Sequence, residues 1–384
     1  MKILFVSRGY PTTKYALNGI FEFDQAKALA ARGHEVIFAA VDLRSIRRWR
    51  RWGKESLVKD GVKIEALNIP LGRFPDWILH NLGIVGLKCL YSECLRKYGK
   101  PDVVHAHFTG SAYSTVKALH DKHLPIIMTE HSSAITEARL SESQMNTARY
   151  AYENVNEIIA VSPGLQNAIS KKFGYHSKYI PNMVELESFG FEEAFKSAAH
   201  YKMVSIGGLI PRKGMDILIK QFAKFKAMVP ASSLEIFGDG PERKNLELLI
   251  KSLNIEDSVK LNGLCARQTI AATLKRSDAF VLASRNETFG VVYTEALSCG
   301  VPVIATRCGG PEGFVHKGNG ILVPVDDEEA LLEAMKTMHR NRDRYDRKQI
   351  AAETAMKFSP DAVASQLEEV YRKVMENRGT LLTY

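Results

Sequence analysis

The sequence predicts an α/β protein made of two doubly wound, parallel-sheet domains in tandem. Three observations lead there. Short Val/Ile runs without polar alternation recur along the chain, which is the pattern of strands covered on both faces. Amphipathic stretches of helical period separate these runs, and strand-helix-strand order implies right-handed crossovers. The chain has 384 residues, 45% of them hydrophobic and 25% charged, which is enough to bury two cores.

In the first half the expected strands are Lys2–Val6, Glu35–Val41, Val62–Leu67, Val103–Ala106, Ile126–Thr129 and Ile158–Val161. Amphipathic stretches such as Phe21–Arg32 and Ser111–Asp121 lie between them. The second half repeats the pattern. Met203–Ile206 precedes a glycine turn and the helix Met215–Met228, and Leu234–Phe237 precedes the turn Gly238-Asp239-Gly240-Pro241 and the helix Glu242–Leu253. Then come Val259–Leu261, the helix Thr269–Arg276, Ala279–Leu282, a helix ending near Cys299, Val301–Ala305 and Ile321–Val323. Consecutive helices follow over Glu328–His339, Arg344–Lys357 and Pro360–Asn377, with Pro360 marking a break. Each half thus reads as a Rossmann-like domain. The boundaries read 1–182 for the first domain, 183–200 for a weakly periodic linker, 201–358 for the second domain and 359–384 for a terminal helix.

The formal net charge is +9, which favours anionic partners. Nucleic acid, an anionic membrane surface and phosphate-bearing substrates all qualify, beside plain solubility charge. The five cysteines (Cys89, Cys94, Cys265, Cys299 and Cys308) form no CxxC pair, so a reducing compartment is expected rather than a disulfide framework or a zinc site. The start MKILFVSRG lacks the longer apolar region and cleavage site of a signal peptide. The most apolar later stretch, Trp77–Leu90, contains His80, Asn81 and Lys88 and falls short of the ~20 apolar residues of a spanning helix. The expectation is a cytoplasmic protein, soluble or peripheral at the inner face of a membrane.

The stretch Ser284–Thr306, SRNETFGVVYTEALSCGVPVIAT, is the most informative. It follows a buried strand, opens a helix near Gly290 and ends that helix at Gly300, ahead of Pro302. A helix N-terminus offers unpaired N–H groups and partial positive charge, which suits phosphate. Phe289, Gly290, Val291 and Val292 would present those groups, with Gly290 allowing close approach. Glu287 and Glu295, spaced Glu-x7-Glu, would hold the two ends of one ligand, because carboxylates grip sugar hydroxyls through charge-assisted bonds. Alone, such a spacing describes two solvated glutamates; the strand-loop-helix context favours the site. Ser205–Asp216, SIGGLIPRKGMD, places Arg212 and Lys213 at another helix start, an anion clamp suited to a pyrophosphate.

These residues carry a resemblance over nearly the whole chain. It is strongest in Glu287-Thr-Phe-Gly through Glu295-Ala-Leu-Ser-Cys-Gly-Val-Pro-Val and in Arg212-Lys213-Gly214. Support comes from Gly33-His34-Glu35-Val36, Asp102-Val-Val-His-Ala-His107, His131, Val161-Ser162, Ile180-Pro-Asn182 and Gly238-Asp-Gly-Pro241. The chain resembles a family-four retaining glycosyltransferase of the GT-B fold, of the bacterial polysaccharide and lipid-linked glycan type. The resemblance implies two Rossmann-like domains facing a cleft and a last helix that crosses back to the first domain. It implies a nucleotide-sugar donor in the second domain, a glycan or lipid-linked acceptor in the first, and retention of configuration. Glu295 resembles the family's ribose-binding carboxylate, Glu287 the one holding donor-sugar hydroxyls, Lys213 the pyrophosphate lysine and His131 the histidine near the reacting sugar. Gly19 stands where a small residue lies against the donor phosphates. The family's usual arginine is replaced by Gly208 in Gly207-Gly208-Leu209, and Arg212 is the candidate to supply the missing charge.

His131 follows a strand at a carboxyl end of the sheet, where ligands of open α/β sheets bind. As catalytic residues the expectation is His131, Glu287 and Lys213. His105 and His107 also end a strand and stand as acceptor-side candidates. No DxD-type metal motif is evident, so fixed cations and a helix dipole are expected in place of a divalent ion, with no cofactor. The segment Leu43–Lys54, LRSIRRWRRWGK, carries six Arg/Lys and two Trp in twelve residues. As a helix it would suit an anionic membrane interface through Arg47, Arg48, Trp49, Arg50, Arg51 and Trp52; the alternative is a solvated basic loop. The rivals are a nucleotide-sugar epimerase and a non-enzymatic module binding nucleic acid or membrane through the basic segment. No nucleic-acid partner is expected. A dehydrogenase would need GxGxxG after the first strand, where Ser7-Arg8-Gly9-Tyr10 stands.

Overall fold

The computed structural model describes residues 1–15, 18–43, 52–71, 74–137, 140–193 and 200–381. The chain forms two compact units, Met1–Met183 with Pro360–Tyr384, and Val184–Ser359.

Among the described residues the first unit carries eight strands: β1 (Lys2–Ser7), β2 (Glu35–Asp42), β3 (Gly53–Lys59), β4 (Val62–Asn68), β5 (Val103–His107), β6 (Ile126–Glu130), β7 (Glu157–Ala160) and β8 (Lys178–Tyr179). Their order is β3-β4-β2-β1-β5-β6-β7-β8. All pairs are parallel except β3 with β4. Five helices connect them: α1 (Ile20–Ala31), α2 (Asp76–Tyr98), α3 (Thr109–Leu119), α4 (Glu142–Glu153) and α5 (Pro163–Phe173). The central strands β1, β5 and β6 are buried along almost their whole length because both faces are covered.

The hairpin of β3 and β4 departs from the sequence reading. Its turn, Asp60-Gly61, has positive φ at both residues (50° and 77°), as a two-residue turn of type I′ requires. The basic segment expected as a helix therefore ends in an edge strand. Residues 44–51, including Arg47, Arg48, Trp49, Arg50 and Arg51, lie outside the described residues. Trp52, which precedes β3, is 56% exposed.

Local signals fix the helix ends. Ser141 and Gln144 form a reciprocal capping box on α4. Ser162 caps α5 through Leu165 N at 3.1 Å, Pro163 is its first residue and Gly174 closes it in the left-handed region. Glycines seat α2 closely: a Cβ on Gly83 would lie 3.0 Å from Ser114 Oγ, and one on Gly86 3.0 Å from Val41 Cγ1. No helix among the described residues, α2 included, is long and apolar enough to cross a membrane.

The second unit begins with a short helix, α6 (Leu186–Phe189), and holds six strands among the described residues: β9 (Tyr201–Ile206), β10 (Ser232–Phe237), β11 (Val259–Gly263), β12 (Ala279–Leu282), β13 (Val303–Thr306) and β14 (Gly320–Val323). The sheet is parallel in the order β11-β10-β9-β12-β13-β14. Its helices are α7 (Met215–Met228), α8 (Arg243–Ser252), α9 (Arg267–Lys275), α10 (Val291–Ser298), α11 (Glu328–Arg340) and α12 (Arg347–Phe358). The segment 183–200 was expected to be a linker, yet its part from Val184 to 193 is built into this unit. Phe189 is 1% exposed, and Glu192 pairs with Lys275 at 2.7 Å.

The last helix, α13 (Pro360–Leu381), starts directly after the extended Ser359, where Pro360 could not continue α12. It belongs to the first unit. Val363, Ala364, Leu367, Val370, Tyr371 and Val374 complete that unit's core beside Ile3, Phe5 and Leu29. Glu368 reaches Arg32 Nε at 2.7 Å and His34 Nε2 at 2.8 Å.

Candidate functional site

In the second unit, two loops at carboxyl ends of strands are locked together. The loop after β9 ends in the turn Pro211–Lys213 and in Gly214, which opens α7 with φ 61°. A Cβ on Gly214 would lie 2.0 Å from the carbonyl oxygen of Ala283 in the loop after β12. Only glycine therefore permits this approach. Arg285 N and Ser284 Oγ both donate to the Arg212 carbonyl, at 2.8 Å and 3.2 Å. Thr306 Oγ1 in turn donates to the Ser284 carbonyl. The Arg285 guanidinium donates to the Pro211 carbonyl and pairs with Asp326 at 2.7 Å.

This bracing brings Lys213 Nζ to 2.5 Å from Glu287 Oε1. Both side chains are largely buried, at 14% and 9% exposure. Arg212 is half-buried, and its guanidinium has no ion-pair partner among the described residues. At Gly208 an added Cβ would meet nothing closer than the Asp239 carbonyl oxygen at 3.9 Å, so there is room for a side chain.

The helix α10 begins one residue beyond Gly290, which takes φ 89° and ψ 61°. A Cβ there would lie 2.6 Å from Tyr293 Cδ2. Tyr293 is fixed in turn, since its hydroxyl donates to the Leu282 carbonyl at 3.0 Å. Val291 and Val292 occupy the first turn, where N–H groups have no partner within the helix. The Phe289 ring is 2% exposed and packs 5.3 Å from Phe314 and 5.7 Å from Phe358. It anchors the loop in the core. Gly310 allows a close pass here, as a Cβ on it would lie 2.5 Å from the Phe289 carbonyl oxygen. Glu295 sits one helical turn in, half-buried.

The first unit has its own cluster at the carboxyl ends of β1, β5 and β6. Gly19 takes φ 70°, and a Cβ on it would lie 2.1 Å from the Gly9 carbonyl oxygen, so the loop before α1 needs glycine. His131 is 8% exposed, and its Nε2 lies 3.1 Å from His107 Nδ1. The outer nitrogens, His107 Nε2 and His131 Nδ1, have no partner among the described residues. Burial, with the Arg8 charge adding to it, pushes His131 down to about 3, so its ring is neutral at pH 7. Glu130 holds the loop: Oε1 accepts from His131 N at 3.0 Å and Ser132 N at 2.9 Å, and Oε2 from Tyr152 and Thr109 hydroxyls.

Sequence reasoning passed over Arg8, Glu22 and Glu130. Arg8 is exposed and its guanidinium lies 3.8 Å above the Phe108 ring; Phe108 itself takes φ 68°. Glu22 is buried and accepts from Ser7 Oγ at 3.0 Å. A cation directly after the first strand, and a carboxylate on the buried face of the next helix, were the available signals. His105 and His107 stood as acceptor-side candidates, and both are 0% exposed. His105 is a core residue, with Nδ1 2.7 Å from the Tyr371 hydroxyl and Nε2 2.7 Å from Thr129 Oγ1. Among the described residues no three His, Cys, Asp or Glu side chains group as metal ligands.

Residues 191–355 match the family model described as "Glycosyl transferases group 1", and residues 23–188 match "Glycosyltransferase Family 4". The chain is 28% identical over 300 residues to the N-acetyl-alpha-D-glucosaminyl L-malate synthase of Bacillus anthracis, covering 72% of this chain and 76% of that protein. The fold matches the sucrose-phosphate synthase of Thermosynechococcus elongatus with a TM-score of 0.81 at 20% identity, over 98% of this chain and 100% of that one. It also matches Anabaena HepE, solved in complex with UDP, with a TM-score of 0.74 at 20% identity, over 97% and 100% of the two chains.

Proposed function

We propose, from the premise that this chain is a family-four glycosyltransferase of the GT-B fold, that it moves a hexosyl or N-acetylhexosaminyl unit from a UDP- or GDP-linked sugar to a glycan or lipid-linked acceptor, with retention of configuration. The observation that carries this reading is the Lys213–Glu287 pair, held at 2.5 Å close by the N-terminus of α10. A cation, a carboxylate and unpaired N–H groups in one place match the parts of a sugar diphosphate.

Breaking the anomeric bond builds negative charge on the departing phosphate and positive charge on the sugar ring. Lys213, Arg212 and the N–H groups of Val291 and Val292 stabilise the phosphate as it leaves. Gly290 lets it approach the backbone, and the space at Gly208 admits it beside the β9 loop. Glu287 takes donor-sugar hydroxyls and Glu295 the ribose. These fixed charges take the part a divalent ion plays elsewhere, with no cofactor. Gly19 lies against the donor phosphates, and the neutral His131 ring offers a hydrogen bond near the reacting sugar. Departure and attack occur on one face, and the leaving phosphate takes the acceptor's proton. Trapping a sugar covalently bound to a side chain would overturn that course.

The same reading puts the acceptor at the inner face of the cytoplasmic membrane, reached through Arg47, Arg48, Trp49, Arg50, Arg51 and Trp52. Flotation with anionic liposomes tests this: the wild type floats and the Arg47/Arg48/Arg50/Arg51→Ala variant does not. The donor assignment is tested by a nucleotide-sugar panel, read as thermal shift and nucleotide release. One donor should stabilise the wild type, and the shift should vanish in Lys213→Ala and Glu295→Ala. No shift with any nucleotide sugar, alone or with acceptor lipid extract, would sink it.

A further inference from the structure

A cavity in the first unit is lined by residues other than His105, His107 and His131. It has a volume of about 400 Å³ and is formed by α2, α3 and α4. The composition of its walls is unusual for helix packing. Trp77, His80 and Asn81 stand at i, i+3 and i+4 on α2 and so share one face. On α4 the lining residues Ser143, Asn146, Thr147 and Tyr150 repeat that spacing through i+7. A face of this period is normally apolar and buried, whereas these two are aromatic and amide-bearing and open to solvent.

The aromatic wall is built and braced. Trp77 is 66% exposed. The His80 and Tyr113 rings lie 5.0 Å apart, and Tyr113 meets Tyr150 edge-on at 5.4 Å. Lys117 Nζ sits 3.9 Å above the Tyr150 ring. Gly83 lets α2 lie close to Ser114 on α3. The side chains of Asn81, Ser143 and Asn146 have no hydrogen-bond partner among the described residues, and all three are exposed. Burial lowers the His80 pKa, so its ring is a neutral donor and acceptor.

We infer that this cavity binds a pyranose unit of a glycan. A pyranose presents one face of C–H groups, which an exposed indole covers, and an equator of hydroxyls, which both donate and accept. Amide side chains and a neutral imidazole answer both needs. The bound sugar's role as part of the acceptor rests on the transferase reading; its binding does not.

The test uses the full chain labelled with 5-fluorotryptophan, which gives one fluorine resonance for each of the three tryptophans. Trp77→Phe assigns the relevant one. The probes are methyl α-D-glucopyranoside, methyl α-D-mannopyranoside and methyl N-acetyl-α-D-glucosaminide, with open-chain sorbitol as a polyol lacking a ring face. At millimolar concentration at least one pyranoside should move the Trp77 resonance and sorbitol should not. Asn146→Ala should weaken that binding about 3- to 10-fold, the loss of one hydrogen bond. A Trp77 resonance that no pyranoside moves, or that sorbitol moves equally, overturns the inference. Pyranoside binding in a protein that takes no nucleotide sugar leaves the cavity's ligand standing and removes only the acceptor role.

Discussion

Lys213 and Glu287 stand 74 residues apart in the sequence and 2.5 Å apart in space. Each neutralises the other in a largely buried position, so removing one leaves an uncompensated charge. Lys213→Ala and Glu287→Gln should each lower kcat/KM by about 100-fold or more. The double variant should be no worse than the more damaged single one, because residues acting as a unit are not additive. Steady-state kinetics on the three proteins decides it; additive losses would mean that the two act separately.

Gly290 and Gly208 should respond in opposite ways. Gly290→Ala forces a Cβ onto the Tyr293 ring at a φ of 89°, at a cost of about 1–3 kcal/mol, and should abolish the nucleotide-induced thermal shift. Gly208→Arg enters open space and should move the unfolding midpoint by no more than about 2 °C. If the position faces the diphosphate, the new guanidinium should tighten UDP or GDP binding about 3- to 10-fold. Calorimetric titration of both variants reads this directly.

Acid should weaken the first unit through its histidines. Burial pushes His105 and His131 down to about 3 and His107 well below its usual value. The unfolded chain titrates them near about 6.5, so below that pH it holds protons the native state lacks, and stability falls as pH falls. Glu22 and Glu130, raised by burial, act in the opposite sense: their contribution is present below the ordinary carboxyl value and is lost as pH rises. His107→Gln isolates one histidine. Between pH 7 and pH 5 wild type should lose about 2 kcal/mol more than the variant in urea unfolding. An equal loss in both would contradict a neutral, buried His107.

Tyr371→Phe should destabilise the protein by about 1–3 kcal/mol, because it strips His105 Nδ1 of a partner in a site with no exposure. Chemical denaturation measures it. Nucleotide binding should be unchanged, since His105 and Tyr371 are core residues and neither is among those proposed to hold the donor.

The helix and strand pattern was legible where burial was two-sided. The strands β1, β5 and β9 are short, largely apolar and buried over nearly their whole length, a pattern that suits a strand covered on both faces. The edge strand β3 was missed because its face alternates and half of it is solvated, although Asp60-Gly61 signals a hairpin. The loop motifs around Lys213 and Glu287 could be read one by one. Their meeting could not, since it depends on Gly214 lying against Ala283, a contact without local signature. His105 misled for the same reason, because its partner Tyr371 lies 266 residues away. Arg8 carries no motif of its own, and only the fold puts Phe108 beneath its guanidinium.

The return of α13 also sets an order of events during synthesis. Residues 1–183 leave the ribosome with all eight strands of their sheet but without Val363, Leu367, Val370 and Tyr371, which close its core. The second unit is complete in sequence before those residues are made. The last unit to finish folding is therefore the first to be translated, and until then its apolar floor stays open to water and to chaperones.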